Sequence, residues 1–262
     1  MATYLDRIVA AHREAAAADT RAFEPLLDAA RAMRAPRSFT AALAATDGLA
    51  IVAEIKRRSP SRGDLAPGLV AGDLARTYEG GGAAALSVLT DAEFFAGSPT
   101  DLMEARTACG LPVLRKDFTV DRRDVLDARL MGADAVLLIV AALDRVELSE
   151  LLALATDVQL DALVEVHDEA EADRALAAGA TLVGVNQRDL TTFAVDRTLA
   201  RRLRPHLGPD VVAVAESGVT GADDAAELAD AGYGAVLVGE ALVTSTDPAA
   251  AVAALRRSPV GT

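Results

Sequence analysis

The chain has 262 residues, of which 52% are hydrophobic but only 3% aromatic, which predicts an aliphatic core. A net charge of −13 excludes broad electrostatic binding to nucleic acid or to an anionic membrane. A single cysteine, Cys109, excludes an intrachain disulfide and a cysteine-based zinc cluster, and three histidines leave little for a histidine metal site.

Residues 1–47 have the composition of helices and lack the apolar stretch of a signal peptide, because charges such as that of Asp6 interrupt it. Ser38 is predicted to cap a short helix over residues 39–45. The longest strictly apolar run, residues 135–143, is far shorter than the about 20 residues that a membrane helix needs. We therefore expect a soluble cytoplasmic protein with a helical N-terminal extension.

After residue 48 the pattern changes to short apolar runs separated by longer amphipathic stretches. The runs begin roughly 20 to 32 residues apart, the size of a strand followed by a helix. They cover residues 51–55, 83–88, 112–114, 134–140, 162–166, 182–185, 211–215 and 235–238. Nearly continuous apolar strands alternating with helices indicate a parallel sheet, and eight strands can close into a barrel. We predict an α/β fold, a single (β/α)8 TIM barrel domain over residues 1–262, with an open doubly wound sheet as the alternative.

Charged and amide side chains recur at the carboxyl ends of these otherwise apolar strands. Side chains alternate along a strand, so the polar residues at these ends share one face. They are Glu54, Lys56, Lys116, Glu165, Asn186 and Glu216. Each alone is typical of a solvated strand end. As a set they predict a catalytic mouth in which lysines and carboxylates shift one another's pKa values.

Loops around this mouth have features of an anion site. Gly218 and Gly239 follow the seventh and eighth strands, where loops commonly bind phosphate through backbone N–H groups. Ser59 lies in a basic loop after the first strand, in which Arg62 is expected to be solvated. Arg188 is a candidate fork for a carboxylate or a phosphate.

Three aromatic residues, Phe94, Phe95 and Phe118, follow the second and third strands. Their pattern is equally consistent with an apolar pocket wall and with loops packed over the barrel. His167 is interpreted as a loop histidine that caps the next helix, and Cys109 as a packing residue. No dinucleotide-binding, phosphate-loop or zinc-protease motif is present in the sequence, so we expect no metal and no organic cofactor.

The segments that carry these residues resemble the indole-3-glycerol-phosphate synthase family, in the same order and over nearly the whole chain. They are AEIKRRSPSRG (53–63), SVLTDAEFFAGS (87–98), PVLRKDF (112–118), VEVHD (164–168), VGVNQRDL (183–190), AESGV (215–219) and VLVGEAL (236–242). The resemblance implies a decarboxylating lyase of tryptophan biosynthesis. This enzyme converts 1-(2-carboxyphenylamino)-1-deoxyribulose 5-phosphate into indole-3-glycerol phosphate, CO₂ and water.

The resemblance also implies a role for each catalytic residue. Lys116 is the general acid for the ketone oxygen, and Glu165 supports its charge and proton transfers. Lys56 assists loss of the hydroxyl group as water. Glu54 and Asn186 orient these groups, and Glu54 is a candidate base. The residues leave open how proton transfers are divided among Lys56, Glu54 and Glu165.

Substrate contacts are implied in the same way. The matched substrate-binding positions are Ser59, Pro60, Phe95, Phe118, Arg188, Leu190, Glu216 and Ser217, and the phosphate-binding positions are Gly218, Gly239 and Glu240. A carboxylate repels a phosphate, so Glu240 fits only if its side chain points away and its backbone binds. The expected partner is a phosphosugar that carries an anthranilate ring, with no nucleic acid and no membrane, bound by a monomer.

Two other functions remain open from the residues. A phosphoribosylanthranilate isomerase, or a related phosphosugar isomerase, has the same barrel but uses a carboxylate–thiol or paired-carboxylate arrangement. Cys109 lies away from the strand ends, which disfavours that reading. A catalytically silent barrel that binds a phosphosugar or a protein partner is disfavoured by the complete charged set.

Overall fold

A computed structural model describes residues 3–189 and 191–256 of the chain. Helices α1 (Tyr4–Ala18), α2 (Phe23–Ala32) and α3 (Phe39–Ala44) precede the first strand. The Ser38 side chain accepts the N–H of Ala41 and caps α3, as predicted from the sequence. Leu190, one of the expected substrate contacts, lies outside the described residues.

Eight parallel strands close into a barrel in which each strand pairs with its neighbours in the chain and the last pairs with the first. They are β1 (Ala50–Ile55), β2 (Ala85–Leu89), β3 (Val113–Lys116), β4 (Ala135–Ile139), β5 (Asp161–Val166), β6 (Leu182–Asn186), β7 (Val212–Glu216) and β8 (Ala235–Val238). The (β/α)8 barrel is therefore confirmed, and the open-sheet alternative is wrong.

In the described part of the chain, seven helices connect successive strands over the outside of the barrel, and two more follow β8. They are α4 (Ala71–Gly80), α5 (Pro99–Ala108), α6 (Arg122–Leu130), α7 (Arg145–Asp157), α8 (Glu169–Ala177), α9 (Leu199–Leu207), α10 (Ala222–Asp230), α11 (Glu240–Val243) and α12 (Pro248–Arg256). A short 3₁₀ helix covers Val140–Ala142, and Arg58–Ser59 pairs with Gly63–Asp64 in a small hairpin. Within residues 3–189 and 191–256, no helix combines the length and the apolar character that a membrane span requires.

The strands are buried on both faces, because helices cover their outer side chains and aliphatic side chains fill the barrel. Val52, Leu114 and Leu163 belong to the inner cluster. Phe39 and Leu43 of α3 belong to the same cluster and are almost fully buried. Helix α3 contacts β1, β2 and β7, so it packs against the barrel and extends its apolar interior.

The helix α1 lies against loops at the carboxyl ends of the strands. His12 contacts Asp91, which follows β2, at 3.0 Å. Arg13 donates to Glu147 at 2.7 Å and to the backbone oxygen of Ala142, which follows β4. The Arg13–Glu147 pair is exposed, and exposed ion pairs contribute little stability individually, about 0.2–1 kcal/mol each. Their effect here is to fix where α1 lies relative to the barrel mouth.

Candidate active site

A cavity of about 590 Å³ opens at the carboxyl ends of the barrel strands. This volume lies in the range of sites for small organic ligands. The sequence-predicted residues that line it are Glu54, Lys56, Ser59, Pro60, Phe95, Lys116, Phe118, Glu165, Asn186, Arg188, Glu216, Ser217, Gly218, Gly239 and Glu240. The structure therefore brings the predicted residues into one cavity, with Leu190 outside the described residues.

Lys116 forms the charged centre of the cavity floor with two carboxylates. Its Nζ donates to Oε2 of Glu165 at 2.9 Å and to Oε2 of Glu216. The side chains are 14%, 3% and 2% exposed, respectively, so water screens these charges poorly. The cluster is thus a buried ammonium from the end of β3 shared by two acids from the ends of β5 and β7.

The pKa values of the cluster follow from burial opposed by charge. Burial lowers the pKa of Lys116, but the negative charges of Glu165, Glu216 and Glu54 outweigh it and hold that pKa above its ordinary value. Burial raises the pKa of Glu165, but the charges of Lys116 and His167 outweigh it and lower the net value. Burial raises the pKa of Glu216 to about 7 against the opposing charge of Lys116. At neutral pH the site therefore holds an ammonium, an ionised carboxylate and a carboxyl that titrates.

A second ammonium lies near the first, on the strand-end segment after β1. Lys56 Nζ donates to Oε2 of Glu54, and both side chains line the cavity. Gly239 packs against this pair so closely that a Cβ at this position would meet the Glu54 carboxylate and would lie 3.0 Å from Lys56 Nζ. Glycine is required here for close approach of the backbone rather than for a left-handed φ.

Asn186 links three strands around Glu165. Its Nδ2 donates to Oε1 of Glu165 at 3.2 Å, and its Oδ1 accepts the Ser217 hydroxyl at 2.9 Å and the N–H of Arg188 at 3.0 Å. The strand register places Asn186 opposite Glu216. The amide thus holds the orientation of Glu165 while leaving Oε2 to Lys116.

Glycine and backbone geometry shape the side of the mouth after β7 and β8. Ser217 has φ +64° and Gly218 has φ +81°, two successive left-handed residues that turn the chain sharply. Gly239 immediately precedes α11, where the first N–H groups of a helix have no partner within the helix. Such backbone N–H groups bind anions. Glu240 turns its carboxylate to the guanidinium of Arg62 at 3.1 Å, and both side chains are exposed, so the carboxylate lies away from the backbone groups.

The aromatic residues divide between two roles. Phe95 and Phe118 line the cavity, with ring centroids 6.2 Å apart. Phe94 instead contacts the Tyr4 ring of α1, with centroids 5.9 Å apart. His12 packs against Phe118 at 5.5 Å, so the N-terminal helix supports the aromatic wall. The wall and the loop-packing interpretations therefore both hold, for different residues.

Comparison with known proteins identifies the family. The family model for indole-3-glycerol phosphate synthase matches residues 5–255. This chain belongs to that family. It is 54% identical to "Indole-3-glycerol phosphate synthase 2" of Streptomyces coelicolor over 230 residues, which cover 88% of this chain and 89% of the relative. It is 50% identical to the indole-3-glycerol phosphate synthase of Mycolicibacterium vanbaalenii over 256 residues, which cover 97% and 94% of the two chains.

A solved structure outside the synthase family shares the fold. The thiamine phosphate pyrophosphorylase from Pyrococcus furiosus aligns with a TM-score of 0.59 over 80% of this chain and 94% of its own. At 19% sequence identity, this likeness concerns the barrel alone.

In this member of the synthase family, several cavity residues were missed by sequence reasoning. Leu137, Ile139 and Leu237 lie on inward-facing strand positions. The alternation of side chains along a strand, which predicted the charged residues of the mouth, could have predicted them too. Phe193 and Arg197 come from the loop after β6, where the chain has no periodic pattern. Their presence in the lining had no signal in the sequence.

The interpretation of His167 is wrong in one respect. The cap of helix α8 is Asp168, whose side chain accepts the N–H of Glu171. The His167 side chain instead lies at the rear of the site, with Nε2 3.3 Å from Oε1 of Glu165. An aspartate is the better cap because its short carboxylate reaches a backbone N–H in the first turn. Cys109 is buried beside α5, as its interpretation as a packing residue requires.

Proposed function

We propose that this protein is an indole-3-glycerol phosphate synthase. It closes the indole ring of 1-(2-carboxyphenylamino)-1-deoxyribulose 5-phosphate and releases CO₂ and water, the ring-closing step of tryptophan biosynthesis. The observation that carries the proposal is the buried Lys116–Glu165–Glu216 cluster, which lies in a cavity with an aromatic wall and glycine-rich loops. A ring, a reacting ketone and a phosphate each find a chemically suitable place there.

Lys116 acts as the general acid of ring closure. The ring carbon that bears the carboxylate bonds to the ketone carbon, and the π electrons of the ketone move to its oxygen, which takes a proton from Nζ of Lys116. The bond to the carboxylate then breaks, CO₂ leaves and its electron pair returns to the ring. Glu165 supports this step because it holds the Lys116 ammonium, and Asn186 supports it because it orients the Glu165 carboxylate.

Lys56 and Glu54 complete the reaction by dehydration. Lys56 donates a proton to the hydroxyl formed in the first step, so that the hydroxyl leaves as water. Glu54 then removes the proton from the carbon beside the nitrogen, which leaves the aromatic indole. The two side chains are hydrogen-bonded to each other, so the acid and the base of this step lie side by side.

Loss of CO₂ from a carboxylate takes up one proton per turnover, so the acids must be recharged from solvent. With its pKa near 7, Glu216 can exchange a proton with solvent at neutral pH. When Glu216 is protonated, one of the negative charges that hold the pKa of Lys116 high is removed. The pKa of Lys116 then moves toward the operating pH, where a general acid is most effective.

Substrate binding uses the remaining residues of the cavity. Backbone N–H groups at Gly218, Gly239 and Glu240 bind the phosphate, consistent with the outward turn of the Glu240 carboxylate. Ser59 and Arg188 hold the anionic groups. The other assigned contacts are Glu216 and Ser217 to the sugar hydroxyls, and Pro60, Phe95, Phe118 and Leu190 around the aromatic ring. Holding the ring against the ketone carbon is itself a large part of catalysis.

We also propose that the chain works as a cytoplasmic monomer with no metal and no organic cofactor. In this proposal residues 1–47 form a helical extension of a single barrel domain. The contacts of His12 and Arg13 with loops after β2 and β4 support an extension that functions with the barrel. Light scattering of the purified chain tests the monomer, since a dimeric mass contradicts it.

The direct test is to mix the purified protein with the substrate and to follow indole fluorescence. The chain contains no Trp, so the product signal has little protein background. We expect the signal to rise with wild-type protein. Saturable binding with no product would favour a silent barrel, and conversion of phosphoribosylanthranilate would favour an isomerase.

A further inference from the structure

His167 follows strand β5 directly and stands between two carboxylates. Its Nε2 lies 3.3 Å from Oε1 of Glu165, and its Nδ1 lies 3.0 Å from Oε2 of Glu171 on helix α8. The backbone N–H of His167 donates to the same oxygen of Glu171 at 2.8 Å. The side chain is 14% exposed, and its Nε2 is buried without a hydrogen bond of good geometry. Glu171 therefore fixes this ring, and its other edge faces the active site.

The protonation state of this imidazole follows from its neighbours. Nδ1 donates its proton to Glu171, so a neutral ring would aim the lone pair of Nε2 at the Glu165 carboxylate. Two acceptors 3.3 Å apart in a buried site are unfavourable, whereas an imidazolium presents an N–H to each carboxylate. Asp189, in the loop after β6, is a further negative charge that interacts with His167. Burial lowers the pKa of His167, but Glu165 and Glu171 outweigh it and raise that pKa to about 10.

The two oxygens of Glu165 face different partners. Oε2 accepts from Lys116 at 2.9 Å, whereas Oε1 faces His167 and accepts from Asn186 at 3.2 Å. We propose that His167 is a positioning residue: held by Glu171, its imidazolium keeps Glu165 ionised and directs Oε2 toward Lys116. This inference rests on the proposed function, in which Lys116 is the general acid of ring closure.

Removing the charge of His167 acts on the chemical step rather than on substrate binding. Among the described residues, those that line the cavity do not include His167. Without the imidazolium the pKa of Glu165 rises, because a nearby positive charge that favours the carboxylate is lost. Glu165 is then protonated at a higher pH, and even while it is ionised its Oε2 is no longer directed toward the Lys116 ammonium. Therefore kcat falls, and the acid limb of its pH profile moves upward.

The test compares His167→Gln with wild type in the ring-closure assay. Glutamine carries an amide but no charge. We expect kcat at pH 7 to fall about tenfold, KM to change less than about twofold, and the acid limb of kcat to move up by about one pH unit. The matched control is His206→Gln, because His206 also pairs with a carboxylate, Asp173, at 2.7 Å, outside the cavity. An unchanged kcat and pH profile in His167→Gln overturns the proposal, even if its Tm falls.

A second measurement does not depend on turnover. Nitrogen NMR of the His167 ring, assigned by its loss in His167→Gln, reports whether both ring nitrogens carry protons. We expect an imidazolium at about pH 8 in wild type, well above the ordinary range for histidine, and a lower titration midpoint in Glu171→Gln. A neutral ring at that pH refutes this proposal alone if wild type turns over the substrate. An imidazolium in a protein with no turnover refutes the proposed function instead.

Discussion

Lys116→Met removes the ammonium that two buried carboxylates share, and we expect it to destabilise the fold. In wild type, Nζ donates to Glu165 at 2.9 Å and to Glu216, whose side chains are 3% and 2% exposed. In the variant these carboxylates face each other beside an apolar side chain. Breaking a buried ion pair by removing one partner costs about 3–5 kcal/mol in the free energy of unfolding. For a chain of this size the melting temperature falls by roughly 10 °C.

The size of this loss depends on pH in a defined direction. Burial and mutual repulsion raise the folded-state pKa of Glu165 and Glu216 in the variant above the ordinary value of 4.5. Such groups destabilise the fold at pH values above their folded-state pKa, and the penalty disappears as they take up protons. The loss is therefore largest near about pH 8 and shrinks toward about pH 5.

Urea unfolding of Lys116→Met and wild type at these two pH values measures the effect. Lys116→Arg is the control, because arginine keeps the positive charge between the carboxylates while changing its geometry. We expect Lys116→Arg to retain most of the stability. An equal loss at both pH values in Lys116→Met would show that a packing defect, and not the two uncompensated carboxylates, causes it, because a packing defect does not follow the titration of carboxyl groups.

Three further predictions concern the phosphate side, the aromatic wall and the N-terminal helix. Gly239→Ala brings a Cβ to 3.0 Å from Lys56 Nζ, and we expect kcat/KM to fall at least about tenfold with little change in Tm. Phe118→Ala shortens the wall around the aromatic ring, and steady-state kinetics are expected to show a rise of about tenfold in KM. His12→Gln removes a part-buried pair with the buried Asp91, and urea unfolding is expected to show a loss of about 1–3 kcal/mol at about pH 6. Burial lowers the pKa of His12, but Asp91 and Asp117 outweigh it and raise that pKa, so the loss fades as pH rises through the raised value.

Two of these predictions have a control variant of matched chemistry, and the third is checked by its pH dependence. Gly221→Ala adds the same methyl group where nothing lies within 4 Å, so a similar fall in kcat/KM there would remove the steric explanation. Phe94→Ala deletes a ring that packs on Tyr4 instead of lining the cavity. An equal rise in KM for Phe94→Ala would contradict the assignment of the wall. A pH-independent loss in His12→Gln would exclude the ion pair as its cause.

Much of the fold was predictable because a parallel barrel requires a simple repeating pattern of apolar and amphipathic segments in the sequence. Strands covered on both faces must be apolar, so each run stood out between helices. Side chains alternate in direction along a strand, and this alternation determines which of them enter the barrel. Glu54 and Glu216 could therefore be placed together from sequence. The roles of individual residues came from the family resemblance, because the alternation along a strand locates a side chain but does not say what it does in the reaction.

Residues beyond the strand ends were not predictable in the same way. His167 comes one residue after β5, where alternation no longer determines direction, and its contact with Glu165 depends on Glu171 holding the ring. The Arg62–Glu240 pair joins loops after β1 and β8, a contact that local pattern does not encode. His12 contacts Asp91, which lies 79 positions away in the sequence, and no sequence pattern around either residue indicates this contact.

In the proposed mechanism Lys116 is the acid that drives ring closure. The most direct test is indole fluorescence from Lys116→Ala and wild type with the ring-closure substrate, each at saturating concentration, together with binding of a phosphate-bearing analogue. We expect wild type to form product and Lys116→Ala to lose at least about 100-fold in kcat while still binding the analogue. Unimpaired turnover in Lys116→Ala would contradict the role of Lys116 as the general acid.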